Sequence, residues 1–307
     1  MGITISYKRS SGDGNDKNDE TIINKGNSEP NFDWLDGGKF PTKIEESYRL
    51  YARHFALKHV CHGNFTAPLK ETITKGSKIL DVGCGSGQWS IEIAQMFPDA
   101  EIYGIDISPK FPFIAPYNCT FVRGNILCRL SFEDNFFDFI WIRNLYAEMT
   151  NKDWPPLMHE LKRVLKSGGI IEQHESDGLV HSAGPMLNKL QNTCMHVTSS
   201  KRNINLRVVY YLADYFKSAG FENISKTYRS IPLGRWGGRI GEINATNLKQ
   251  TYLTIQPWLT PFTELTEDEY NRTIKQIVDK ELNEYHSYTN HHIILVKKTI
   301  SGHWWFS

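Results

Sequence analysis

None of the five cysteines (Cys61, Cys84, Cys119, Cys128 and Cys194) stands at C-x-x-C spacing from another. That absence removes the usual signatures of a zinc site or a disulfide framework, and the odd count fits a reducing compartment. A strong net charge is also missing: 35 Lys and Arg stand against 34 Asp and Glu, a formal +1 at pH 7. Without a global field, neither nucleic acid nor an anionic membrane is an expected partner. No run approaches transmembrane length, no charged-then-apolar signal peptide opens the chain, and no internal repeat is visible. The expected compartment is the cytoplasm.

Apolar residues are not scarce. They make up 40% of 307 residues, enough for a sizeable core in one large domain or two small ones. The stretch Lys78 to Phe97, KILDVGCGSGQWSIEIAQMF, organises the rest. Lys78 to Val82 is a short apolar run holding one carboxylate, Asp81, and reads as a buried strand. Gly83, Gly85 and Gly87 follow at alternate positions. Trp89, Ile93, Met96 and Phe97 then recur at helical spacing, which predicts a helix with one inward face. A glycine-rich turn there lets a ligand approach the backbone, because no Cβ intervenes. The helix N-terminus adds free N–H groups and partial positive charge.

Two common occupants of such a turn do not match it. A phosphate loop needs a lysine after the glycines, whereas Gln88 and Trp89 follow Gly87. A dinucleotide fold needs G-x-G-x-x-G, and position 88, where the third glycine would fall, is glutamine. Gln88 and Asp81 together therefore disfavour an NAD-dependent oxidoreductase. Asp81, two residues before the first glycine, suits a ligand bearing positive charge better than a pyrophosphate.

Along the chain, residues 1–30 are polar and are expected to remain disordered, since they cannot offset ordering entropy by burial. Lys43 to Val60 reads as an amphipathic helix able to lie across the cofactor cleft, with Tyr48, Tyr51 and His54 as candidate site residues. Glu101 to Ile107 is a second strand. The carboxylate of Asp106 at its tip can accept hydrogen bonds from both ribose hydroxyls. Thr120 to Gly124 is a third strand, after which Asn125 can bond the amino edge of an adenine while Ile126 covers the ring. An ordinary turn asparagine is the alternative reading. Phe136 to Ile142 is a buried fourth strand running into Arg143 and Asn144. Asp153 is expected to cap a helix with Pro155 and Pro156 in its first turn, and Ile170 to His174 is a fifth strand.

This alternation specifies a parallel, doubly wound sheet whose ligands bind beyond the carboxyl ends of the strands. The glycine turn, Asp106, Asn125, Arg143 and the pair His174/Glu175 all fall there. Further on, helices are expected at Met186 to Val197, Leu206 to Ala219, Glu242 to Leu259 and Glu267 to Tyr285. The last opens with a Thr266/Glu269 capping box. A sixth strand covers Phe221 to Pro232, a flexible loop Gly234 to Gly241 carries Trp236, and a last strand lies within 288–300. The expected fold is α/β: seven strands, mostly parallel and Rossmann-like, with added helices. Its divisions are a tail at 1–30, one domain at 31–300 and a tail at 301–307. The domain has a core at 75–177 and cap elements at 43–60, 178–200 and 234–285.

DVGCGSGQW, YGIDIS, NCTFVRGN, FDFIWIRNL and LKRVLKSGGIIEQHE occur in the order of the class I S-adenosylmethionine-dependent methyltransferases and resemble their motifs, the first being acidic-x-G-x-G-x-G. Beyond that core, HGNFTAPL, DWPPL and GGRIGEINATNL resemble a fungal group of small-molecule methyltransferases. That group is similar to a regulator of secondary metabolism that associates with transcriptional complexes. The resemblance spans about residues 32–298. It implies S-adenosylmethionine as cofactor, contacted by Asp81, Gly83, Cys84, Gly85, Ser86 and Gly87. The implied contacts continue with Asp106, Ile107, Gly124, Asn125, Arg143 and Asn144. Many relatives have Asp where Asn125 stands, but Asn also accepts a bond from the adenine amino group. The implied activity is methyl transfer to an unidentified small molecule, an in-line displacement helped mainly by alignment and exclusion of water. The alternative is a non-enzymatic or weakly active regulatory protein that keeps the fold, with a regulatory protein complex as the alternative partner and the nucleus as an alternative compartment.

The acceptor side has no transferable motif. The segment 178–197, the Trp236 loop and the Lys43 helix are expected to close over the acceptor, with Tyr51 and Trp236 as contacts. A hydroxyl acceptor would need a base, for which His174 and His181 are the candidates, since an imidazole pKa near ~6.5 suits proton removal at neutral pH. A structural, hydrogen-bonded histidine is the competing reading. Finally, Met1 to Ser6 fits the N-myristoylation pattern M-G-x-x-x-[ST], with Lys8 and Arg9 behind it. Acylation at Gly2 would give reversible membrane attachment.

Overall fold

In the computed structural model, residues 43–108 and 111–299 are described, with side chains from residue 49 onward. The Gly2 pattern, the polar tail 1–30, Tyr48 and the tail 301–307 lie outside these described parts. Helix α1 (Lys43–Val60) and the single turn α2 (Leu69–Thr72) precede strand β1 (Lys78–Val82). Then come α3 (Gln88–Met96), β2 (Glu101–Asp106), β3 (Cys119–Arg123), β4 (Phe137–Arg143), α4 (Trp154–Val164) and β5 (Leu165–His181). After these follow α5 (Pro185–Arg202), α6 (Leu212–Ser218), β6 (Asn223–Pro232), α7 (Gly238–Leu259), α8 (Glu267–Gln276) and β7 (Tyr288–Lys297).

The seven strands form one sheet in the order β3-β2-β1-β4-β5-β7-β6. The first five are mutually parallel, and β7 runs antiparallel between β5 and β6. The expected mostly parallel, doubly wound architecture is therefore what forms. The chain steps outward from β1 to β3, then returns to place β4 on the other side of β1. That reversal opens a crevice at the carboxyl ends of β1 and β4.

Alternation along the central strands supplies both faces. Ile79, Phe139 and Trp141 pack on Trp89 and Ile93 of α3. Leu80, Ile140 and Ile142 pack with Leu157 and Leu161 of α4 and with Phe216 of α6. Trp89 stacks on Trp141 with ring centroids 4.7 Å apart and planes 3° from parallel. Such a pair adds about 0.5–1.5 kcal/mol beyond its burial. Met96, expected on the same inward face as Trp89, is instead exposed at the end of α3.

Four local expectations are corrected. The fifth strand does not stop at His174; it runs to His181, because β7 offers partners from Lys297 back to Tyr288. A register shift between Ser176 and Val180 lets it bend. Asp153 stands at the N-cap position of α4 but does not cap it; its Oδ2 accepts from Thr150 N and Oγ1, both at 2.7 Å. The stretch 206–219 is not one helix but a 3-10 turn at Val208–Tyr210 followed by α6. The glycine-rich stretch 234–241 is not a flexible loop. A 3-10 turn occupies Arg235–Gly237 and α7 begins at Gly238.

A third apolar cluster, separate from the two sheet faces, joins Leu187 and Leu190 of α5, Tyr252 of α7, Tyr270 of α8 and Ile277. Glu281 holds this cap together. It is buried, and its two carboxylate oxygens accept from Met186 N at 2.9 Å and Leu187 N at 3.0 Å. A carboxylate some 95 residues downstream thus satisfies the open N-terminus of α5 and complements its dipole. Glu281→Ala is expected to lower stability by about 2–3 kcal/mol, from two orphaned N–H groups and the lost charge. Urea unfolding of the purified variant measures this, and a loss below about 0.5 kcal/mol would contradict the assignment.

Candidate cofactor and acceptor site

The glycine turn after β1 is held from below by β2. Gly83 N and Cys84 N donate to Ile105 O at 2.9 and 3.1 Å, and Gly85 N donates to Asp106 Oδ2 at 2.8 Å. The other oxygen of Asp106 accepts from Ser108 N, also at 2.8 Å. Each oxygen still has a lone pair for a ligand hydroxyl. Gly85 adopts φ +57 and a Cβ there would meet only Leu50, at 3.8 Å. Protein packing therefore does not demand a glycine at 85; the left-handed turn and an open face toward the cavity do. Gly87 is different, since a Cβ would lie 2.4 Å from the Phe121 ring.

Asp81 is buried at the floor of the site. Ser90 Oγ donates to its Oδ2 at 2.6 Å. Burial outweighs that bond and the field of Arg143, and the carboxyl pKa rises to about 7. Cys84 sits beside it, and burial together with Asp81 and Asp106 drives its thiol pKa far up. Cys84 is thus a small residue in a tight turn, without nucleophilic character. Arg143 is enclosed, stacks over Trp141, and donates from Nη2 to His54 Nδ1 at 3.0 Å. That bond leaves the His54 proton on Nε2, which faces Glu92 at 3.1 Å. Glu92 also receives Lys58, Asn64 and Gln88, so α1 is fastened to α3 through one carboxylate whose pKa is driven well down.

These groups open on a cavity of about 1150 Å³. Single-ligand clefts hold roughly 300–1,000 Å³, so there is room for a donor and an acceptor together. Ten of the twelve expected cofactor residues line it: Asp81, Gly83, Cys84, Gly85, Ser86, Asp106, Ile107, Asn125, Arg143 and Asn144. Gly87 and Gly124 do not; they shape the turns behind it. The Asn125 side chain is partly committed, because Oδ1 accepts from Leu127 N at 2.9 Å. Both readings of this residue thus meet in one side chain, as a second lone pair and Nδ2 remain for an adenine edge.

The expected acceptor residues are not brought here. His174 is buried inside the sheet, with Nε2 2.7 Å from Glu172 Oε1 and its ring against Trp141 and His291. His181 lies 2.7 Å from Asp177 Oδ2 and stacks on Tyr288, also outside the cavity walls. The reason is the longer β5: both histidines are strand residues locked to β7, not residues of an open loop. Tyr51 is 53% exposed on the outer side of α1, whose cavity side carries Arg49, Leu50, Arg53 and His54. Trp236 Nε1 donates to Leu233 O at 2.8 Å and to Ser287 O at 3.2 Å, which fixes the ring away from the cavity.

The rest of the cavity is built from Tyr146 and Glu148 after β4, Arg202 of α5, and Tyr252, Ile255 and Trp258 of α7, among others. Arg202 lies over the Trp258 ring and Arg49 donates to Asn247 Oδ1 at 3.4 Å, so arginines cross-link the cap helices around the cavity. The one sequence signal for these residues was the Arg49/Arg53 pair on the predicted helix, which apolar periodicity alone overlooks. Among the described residues no group of three or more His, Cys, Asp or Glu could hold a metal, and no helix is long and apolar enough to cross a membrane.

The donor-side groups fit the cofactor that the motifs imply: a carboxylate pair and an open glycine turn, with no lysine for a phosphate. Comparison with known proteins agrees. Residues 79–169 match a family described as “Methyltransferase domain”. Methyltransferase pytC of Aspergillus terreus is 31% identical over 205 residues, covering 64% of this chain and 61% of that protein. The secondary metabolism regulator laeA of Monascus pilosus is 25% identical over 248 residues, covering 74% and 65%. The chain thus spans about three fifths of the length of the curated relatives it matches. Among solved structures, phosphoethanolamine N-methyltransferase 2 of Haemonchus contortus is 19% identical, covering 80% of this chain and 56% of that one, with a TM-score of 0.48. The motif order, the sheet and the family match together make residues 79–169 similar to a methyltransferase domain.

Proposed function

We propose that this protein transfers a methyl group from S-adenosylmethionine to a small organic molecule. The observation that carries the reading is the Asp106 carboxylate, which clamps the glycine turn at the switch point while facing the cavity. When bound, the cofactor supplies a methyl group on a positively charged sulfur. The chain's own residues bind, orient and keep water out. Asp106 offers two acceptors to ribose hydroxyls, Asn125 faces the base, and Asp81 answers positive charge at the other end. Alignment of two ligands in one enclosed cavity then provides most of the rate gain. Scattered cysteines and a net charge near zero favour the cytoplasm, and the acceptor is the partner we expect.

Isothermal calorimetry with S-adenosylmethionine and NAD tests this directly. Binding of NAD without binding of the methyl donor would end the proposal. The same titration contains a second prediction. With its pKa near 7, Asp81 is about half protonated at pH 7 before binding. A cationic ligand lowers that pKa, so binding releases about half a proton at pH 7. Affinity should rise with pH up to about 7, by at most tenfold per unit, and then level off. Titrations in buffers of different ionisation enthalpy measure the proton count. No release at pH 7, or release unchanged in Asp81→Asn, would contradict it.

A further inference from the structure

The acceptor half of the cavity has a single carboxylate on its wall, Glu148. It follows β4 on the segment 144–149, which packs against the glycine turn, because a Cβ on Gly83 would lie 2.7 Å from Leu145. Asp106 raises its pKa from the donor side, while Arg202, Arg53 and Arg49 lower it from α5 and α1. Glu148 thus shares the cavity wall with Asp106 and with Arg49, Arg53 and Arg202, and feels the charge of each. Glu148 is exposed, and it lines the cavity. Among the described residues its carboxylate makes no hydrogen bond and no ion pair, unlike Asp81 and Asp106. Burial raises its pKa above the ordinary glutamate range.

Other groups on the wall are poorer proton acceptors. Both nitrogens of His54 are engaged, with Arg143 and Glu92. Burial raises the pKa of Tyr146 and of Cys194, so neither presents an anion. On the same cavity wall, Leu179, Leu248, Tyr252, Ile255 and Trp258 supply apolar surface suited to a flat ligand.

We infer that Glu148 is the general base of the reaction and that the acceptor is a hydroxyl compound with a flat, apolar body. This rests on the methyl-transfer reading. The hydroxyl proton passes to a carboxylate oxygen of Glu148 as the hydroxyl oxygen forms its bond to the methyl carbon. The carbon–sulfur bond breaks, its electron pair stays on sulfur, and the neutral thioether and a methyl ether result. Glu148 gives the proton to solvent after product leaves. Only ionised Glu148 can serve, so turnover should rise with pH through its pKa. The charged groups around it that set that pKa are Arg49 and Arg53 of α1, Arg202 of α5 and Asp106 of β2.

The test uses the full chain, S-adenosylmethionine with a labelled methyl, and 2-naphthol as a flat hydroxyl probe. The wild type should label 2-naphthol, and Glu148→Gln should lower kcat/KM by about 10²–10⁴-fold and flatten its rise with pH. Glu148→Asp should recover part of the loss. The readout independent of turnover is binding of 2-naphthol to the complex with S-adenosylhomocysteine. It should tighten several-fold with rising pH in the wild type and stay level in Glu148→Gln. Affinity for S-adenosylhomocysteine itself should change less than about threefold, which shows an intact fold. Turnover of the glutamine variant within threefold of wild type would overturn the assignment. So would equal losses in turnover and S-adenosylhomocysteine binding, which would place Glu148 in the donor pocket. A wild type that binds the donor but labels no naphthol would overturn the acceptor class alone. Failure of the donor to bind would overturn the underlying reading instead.

Discussion

Replacing Glu172 by alanine is expected to destabilise the protein by about 3–5 kcal/mol, the cost of breaking a buried, fully bonded charged group. Glu172 lies on β5 with no exposed surface. Its Oε1 accepts from Thr66 N at 2.7 Å, Thr66 Oγ1 at 2.9 Å and His174 Nε2 at 2.7 Å. Its Oε2 accepts from Ala67 N at 2.8 Å. Alanine would leave these donors without an acceptor, and each orphan costs about 1–3 kcal/mol before relaxation. The effect should reach the site as well. Residues 64–67 link α1 to the sheet, and Trp89 Nε1 donates to Asn64 O in the same stretch. Guanidinium unfolding should show a lower midpoint at unchanged slope. A loss under about 1 kcal/mol would mean that the donors find water and that Glu172 is no anchor. The buried His174 explains itself here: it is one of the donors that Glu172 holds.

Asp106→Ala should weaken S-adenosylhomocysteine binding by about 1.5–3 kcal/mol, roughly 10- to 150-fold, from lost charged hydrogen bonds. Two effects act together. The ribose hydroxyls lose their acceptor, and Gly85 N and Ser108 N lose the oxygens that hold the turn and the strand end in place. Asp106→Asn separates them, since an amide oxygen can keep one of the backbone bonds while the charge is gone. It should fall between wild type and alanine. Calorimetry measures all three, with melting temperature as the control for folding. Affinity of the alanine variant within threefold of wild type would remove Asp106 from the cofactor site.

Much of the donor site was legible because its chemistry is local in sequence. A strand, three glycines and a helix within twenty residues dictate the turn. A carboxylate at the next strand end falls beside it by the geometry of parallel sheets. The residues placed elsewhere by the structure differ in cause. His174 and His181 were placed by where β5 was expected to stop, and a strand stops where its partner stops, which here is β7. Trp236 was read as mobile because it sits among glycines. In the structure those glycines are needed for close packing: a Cβ on Gly241 would lie 2.1 Å from Gly234 O, and one on Gly237 would lie 2.2 Å from Pro232 Cβ. Tyr51 was chosen as an aromatic on an amphipathic helix, but α1 turns Arg49 and Arg53 toward the cavity.

The sequence by itself determined the alternation of strands and helices, the order of the motifs, the donor-binding turn with Asp81 and Asp106, and the exclusion of a phosphate loop. These follow from short-range periodicity and from backbone conformations that only glycine accepts readily. Tertiary structure alone decided the rest of the cavity wall. Glu148 lies in the field of Arg53 and Arg202, which come from distant parts of the sequence, and Glu281 reaches back some 95 residues to cap α5. Contacts of that kind leave no periodic trace, because a buried charge is placed by whichever distant element comes to satisfy it.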